Sequence, residues 1–176
     1  MSMVWIAGVT ASGSSATLSF TSIPSTFTHL QVRVFGRSSN ATATTTLNMK
    51  LNNDSGSNYA WHFLGADGAS ATSSAGLTQT AMSLGNFVAN SSTASVFQSA
   101  IVDVLDYTST TKNKTVRVLN GFDANGSGNA YLNSGLWFNS TIAAVTQLDL
   151  ILAAGNWQSG SRADLYGITT SSVTGA

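Results

Sequence analysis

Apolar residues recur at every second position in three stretches of the chain. Leu30, Val32 and Val34 alternate with Gln31, Arg33 and Phe35; Leu47, Met49 and Leu51 alternate with Asn48, Lys50 and Asn52; Leu148, Leu150 and Leu152 alternate with Asp149 and Ile151. A period of two sends successive side chains to opposite faces of a strand, so each stretch predicts a half-buried β-strand. Shorter runs predict strands at 16–20, 59–64, 96–105, 115–119, 131–138 and 163–168, for roughly eight to ten strands in all. Between them, 65–76, 123–129 and 159–161 collect Ser, Gly, Asn and Asp, which accept turns and positive φ and so predict loops. The one proline, Pro24, stands just ahead of the strand through Leu30, where its missing N–H interrupts no ladder.

No stretch carries the helical period, and many short strands separated by turns predict an all-β fold. The expected architecture is one antiparallel β-sandwich domain over residues 1–176. A jelly roll is the expected topology and an immunoglobulin-like sandwich the runner-up. Residues 1–15 and 169–176 are expected to be the most mobile parts, as chain ends usually are.

Composition sharpens this picture. A chain of 176 residues can bury a real core. Charged residues are 8% of it, against about 25% in ordinary soluble domains, so hydroxyls and amides must provide the solubility. Seven Lys and Arg are balanced by seven Asp, with no Glu. Zero net charge argues against nucleic acid as a partner, because that affinity rests on cations neutralising phosphates. Missing Glu removes the Glu/Lys pairs that support surface helices. No Cys is present, which excludes a disulfide framework and a thiolate metal site. The opening Met1-Ser2-Met3-Val4-Trp5-Ile6-Ala7 lacks a basic region followed by a long apolar one, so no secretory signal is expected. No apolar run approaches the roughly 20 residues that span a bilayer, so no membrane insertion is expected.

The candidate chemistry is sparse. Ser is so abundant that a Ser-His-Asp combination carries no weight, and His29 and His62 read as structural. No catalytic, cofactor or metal site is predicted, and the expected cofactor is none. Asp123-Ala124-Asn125-Gly126-Ser127 alternates oxygen-bearing side chains as calcium loops do, and Asn52-Asn53-Asp54-Ser55 offers similar oxygens. The closing Glu of a calcium loop is absent, and plain turns need the same residues. Trp61, Tyr131, Trp137 and Trp157 supply rings that could stack on sugars or fill the core. The segment from Asp103 to Phe122 gathers Asp103, Asp106, Lys112, Lys114 and Arg117 into one hairpin. These charges either pair within the sheet or face a neighbouring subunit. Cross-strand pairs contribute about 0.2 to 1 kcal/mol each, enough to set register.

Four marks, in order, resemble a broad group of small tailed-bacteriophage virion proteins built as β-sandwiches. They are Ile23-Pro24-Ser25-Thr26-Phe27-Thr28-His29-Leu30-Gln31-Val32-Arg33; the run Leu51-Asn52-Asn53-Asp54-Ser55-Gly56-Ser57-Asn58-Tyr59-Ala60-Trp61-His62; the hairpin from Asp106-Tyr107 to Arg117; and Leu165-Tyr166-Gly167-Ile168. The likeness runs over nearly the whole chain. It implies a non-enzymatic structural protein on the virion surface, made in the host bacterial cytoplasm and assembled as a homotrimer. A capsid decoration (cement) protein bound to the major capsid protein lattice is the first expectation. A receptor- or glycan-binding tip of a tail fibre is the alternative, since one fold serves several roles.

Overall fold

A computed structural model describes residues 2–170. Within them lie twelve strands and no helix: β1 Ser2–Thr10, β2 Thr17–Phe20, β3 His29–Gly36, β4 Thr44–Leu51, β5 Tyr59–Ala66, β6 Ala71–Gln79, β7 Met82–Val88, β8 Gln98–Val104, β9 Lys114–Asp123, β10 Gly128–Trp137, β11 Leu148–Leu152 and β12 Arg162–Thr169. They form an eight-stranded sheet, β1-β12-β3-β8-β9-β10-β5-β6, and a four-stranded sheet, β2-β11-β4-β7. All neighbouring pairs are antiparallel.

Eight of these strands make a jelly roll. Taken in chain order, β1, β2, β3, β4, β7, β8, β11 and β12 pair first with last, second with seventh, third with sixth and fourth with fifth. This is a long hairpin rolled up so that successive pairs fall in opposite sheets. The other four strands are two inserted hairpins, β5–β6 and β9–β10. They prolong the larger sheet beyond β8 and leave it overhanging the smaller one.

The alternating apolar positions meet between the sheets. Leu30, Val32 and Val34 of β3, with Val102, Val104, Val116 and Val118 of β8 and β9, face Leu47, Met49 and Leu51 of β4 and Leu148, Leu150 and Leu152 of β11. Each such side chain contributes about 1.5 to 3 kcal/mol by leaving water. Trp157 is fully buried, lies edge-on to Phe87 at 5.2 Å, and donates its indole N–H to the carbonyl of Ala16 at 3.0 Å.

All nine sequence-predicted strands are present, but twelve exceed the expected eight to ten. The three additions each lack a readable alternation. β1 falls in the stretch expected to be mobile, yet it pairs with β12 from Ser2 to Thr10, most of its side chains exposed. β6 begins inside the expected loop 65–76 and runs three residues past it; eight of its nine residues are exposed, so the ladder to β5 is what forms it. In β7, Gly85 at φ +101° and a register shift against β4 break the period. Met1 and residues 171–176, part of the ends expected to be mobile, lie outside the described residues.

The outer edge of β7 would be a row of unpaired backbone groups. Side-chain amides from the facing sheet take the place of the missing strand. Gln98 on β8 accepts from the Val88 N–H at 2.7 Å and donates to the Asn86 carbonyl at 2.8 Å. Asn120 on β9 donates to the Leu84 carbonyl, and Asn133 on β10 to that of Ser83 at 3.4 Å. Two buried cations hold loops in a similar way. Arg37 donates to the carbonyls of Asn90, Ser92, Thr93 and Val96 at 2.7–3.2 Å. Lys114 donates to those of Ser109 and Lys112 at 2.6 and 2.8 Å.

Candidate functional site

The charged hairpin consists of β8, β9 and the connection 105–113, and its charges mostly serve the chain itself. Asp106 sits in the turn at φ +47°; its N–H donates to His29 Nδ1 at 2.9 Å and its carboxylate pairs with Lys112 at 2.8 Å. The Lys112 hydrogen bond outweighs partial burial and holds the Asp106 carboxyl below the ordinary aspartate range. Lys114 is turned inward onto loop carbonyls, and burial pushes its ammonium below the usual lysine value. Asp103 and Arg117 are opposite one another in register, yet Asp103 accepts from Gln31 Nε2 at 2.9 Å, and Arg117 stays exposed on the outer face. Among these five charges the ion pair that forms is Asp106–Lys112, within the connection and not across the strands.

The four ring-bearing candidates divide two and two. Trp137 and Trp157 are core residues, closed to a ligand. Trp137 donates its indole N–H to Asp54 at 2.7 Å. The same carboxylate accepts from the Gly56 N–H and from the amides of Asn58 and Asn139. Burial pushes the Asp54 carboxyl up, but these four donors prevail and hold it below the ordinary value.

Trp61 and Tyr131 instead share a cleft of about 390 Å³ where the larger sheet overhangs β7. Phe63 stands between them: it lies parallel to Trp61 within 12° at 5.9 Å and edge-on to Tyr131 at 5.2 Å. Thr46 and Asn48 of β4 and Asn86 of β7 line the opposite wall, and Gln79 of β6 lies on the same sheet as the rings. Asn86 donates its amide to the Tyr131 hydroxyl at 3.0 Å.

The outward face of the larger sheet carries the second feature. Ile101 on β8, Leu119 on β9, Leu132 on β10 and Leu64 on β5 are direct cross-strand partners in one row. They are 38%, 58%, 59% and 59% exposed, and Ala66, Ala71 and Ala130 border the row beside Leu64. Four adjacent apolar side chains on a water-facing sheet are more than the scattered single residues an ordinary surface carries.

The remaining candidates resolve into local structure. His62 is on the outer sheet face opposite Ser134 and Ala75. Asp123 accepts from the Asn125 N–H at 2.7 Å, as a plain turn requires. Asn52 and Asn53 adopt positive φ in the β4–β5 turn, and Asn52 accepts from Thr146 and Gln147. Among the described residues no three His, Asp or Glu side chains converge as a metal site. The four-residue row and the contributions of Phe63, Asn48 and Asn86 are absent from the sequence reading. Apolar doublets within strands, Ile101-Val102, Val118-Leu119, Tyr131-Leu132 and Phe63-Leu64, were the available signal, since one member of each must face outward.

No protein-family model, curated protein or solved structure matches the chain. Fold and surfaces define a jelly-roll β-sandwich with an outward apolar row and an uncharged aromatic cleft.

Proposed function

We propose that this chain is a non-enzymatic bacteriophage virion protein that decorates the capsid exterior and binds the major capsid protein lattice. The observation that carries this reading is the exposed row Ile101, Leu119, Leu132 and Leu64. It suits adhesion to a protein lattice, because burying it removes apolar area from water without requiring a charged partner. Zero net charge fits contact by shape and burial more than electrostatic capture.

The chain assembles as a homotrimer through its sheet edges. β1 and β6 end the larger sheet on either side, and neither carries a charged residue or a proline. Long uncharged edges are templates for pairing with another chain. A head-to-tail β1-to-β6 contact closes into a ring when its rotation permits.

Particles lacking the protein test this role. A decoration protein binds the assembled shell and not its unfolded subunits, so its loss lowers the temperature at which DNA is released, while adsorption to cells stays normal. Leu119→Lys with Leu132→Lys leaves the fold intact, because both side chains point outward, and weakens recapture of added protein by bare shells. If loss abolishes adsorption and leaves the shell equally robust, the protein is a tail-fibre tip.

A further inference from the structure

We infer that the cleft between β7 and the overhanging β5 is a binding site for a neutral saccharide. The inference stands on the cleft alone and holds wherever on a particle the protein resides. Its volume of about 390 Å³ falls inside the range of about 300 to 1,000 Å³ typical of ligand sites.

The lining selects the ligand's chemistry. None of its twelve residues is charged, so a phosphate, a carboxylate or a cation would enter without a counter-charge to offset its lost hydration. A wholly apolar ligand fits no better, because it would strand the side chains of Asn48, Asn86, Thr46 and Gln79. A sugar matches both walls. Its C–H faces lie against rings such as the parallel Trp61 and Phe63, while its hydroxyls, each donor and acceptor, meet amides and hydroxyls that are also both.

The recognising groups are held in place yet remain available. Trp61 lies against Gly76 of the neighbouring strand, where a Cβ would come within 2.5 Å of the indole. Tyr131 is buried, and its hydroxyl fixes the Asn86 amide through the Nδ2 donor. The carbonyl oxygen of Asn86, the amide of Asn48 and the indole N–H of Trp61 have no hydrogen-bond partner among the described residues. These rings sit at the margin of the core: Trp61 packs against the core cluster without being enclosed by it.

The test is a glycan array carrying neutral oligosaccharides and their uronic-acid and sialylated counterparts, probed with the full chain, followed by titration of the best-retained neutral sugar using amide NMR shifts. Neutral glycans are expected to be retained over acidic ones, with shifts confined to residues around Asn48, Trp61, Asn86 and Tyr131. Asn48→Ala weakens binding by about two- to tenfold, the loss of one hydrogen bond, with an unchanged melting temperature. Trp61→Ala abolishes it. Asn48→Ala keeps the test decisive should Trp61→Ala disturb the fold. Retention of no neutral glycan, a preference for acidic glycans, or equal binding by the native chain and Asn48→Ala each overturns the assignment.

Discussion

Replacing Gln98 by Leu removes the surrogate strand at its strongest point. Gln98 is 0% exposed and makes two hydrogen bonds, one from the Val88 N–H and one to the Asn86 carbonyl. Leucine is close to glutamine in size, so the loss is polar rather than a cavity. The buried Val88 N–H and the half-buried Asn86 carbonyl then lack partners at up to about 1 to 3 kcal/mol each, giving about 2 to 6 kcal/mol. For a chain of this length about 1 kcal/mol moves the melting temperature by 2 to 4 °C, so the fall is about 4 to 24 °C. Gln98→Glu refines the test. Its second oxygen must donate to the Asn86 carbonyl, which only a protonated carboxyl can do. Burial and that bond raise the folded pKa above the unfolded value of about 4.3. The interaction is then fully present below about 4.3 and lost as pH rises through the folded pKa. Thermal and urea unfolding followed by circular dichroism should show Gln98→Glu approaching the native chain near pH 4 and falling behind at neutral pH. A Gln98→Leu melting temperature within about 1 °C of native, with no pH dependence in the Gln98→Glu gap, would refute pairing of this amide with β7.

Gly155→Ala should cost more than about 1 kcal/mol, because φ is +74° and the new Cβ would lie 2.5 Å from the Asn40 backbone nitrogen; urea unfolding measures it. Asp54→Asn should destabilise at neutral pH by weakening four donated hydrogen bonds. The depressed Asp54 pKa stabilises above its unfolded value of 3.8 and that contribution is lost as pH falls through the folded pKa, so the gap between variant and native chain should narrow in acid. Arg37→Met frees four carbonyls of the segment 90–96 and should cost about 3 kcal/mol or more, with hydrogen exchange rising first in that segment.

The strands that face water on one side and core on the other were legible in the sequence, since Leu30-Val32-Val34 and Leu47-Met49-Leu51 state their burial directly. β6 was not, because Ala71-Thr72-Ser73-Ser74-Ala75 buries nothing and only its neighbour's backbone makes it a strand. The hairpin charges were visible as a cluster, but their uses were not: Lys114 looks like a surface cation and is instead buried against Ser109 and Lys112 carbonyls. Likewise Trp61 and Trp137 carry the same side chain in similar strand contexts. Their different fates follow from where β7 ends relative to the overhanging sheet, a matter of topology that no local pattern encodes.

The position of β12 between β1 and β3 also decides when the chain can fold. At a synthesis rate of about 5 to 20 residues per second, β12 appears about 7 to 27 s after β3 is complete. Until then β1 lacks its sheet partner and β3 one of its two, so the larger sheet of the growing chain ends at β3 on one side where the finished sheet ends at β1. Closure of the roll is therefore a late event that brings together segments from opposite ends of the sequence, a high-contact-order step that is intrinsically slow. Until β12 arrives, the open edge of β3 is a template for pairing with another chain, so slow closure exposes this strand-rich chain of zero net charge to association before it is complete.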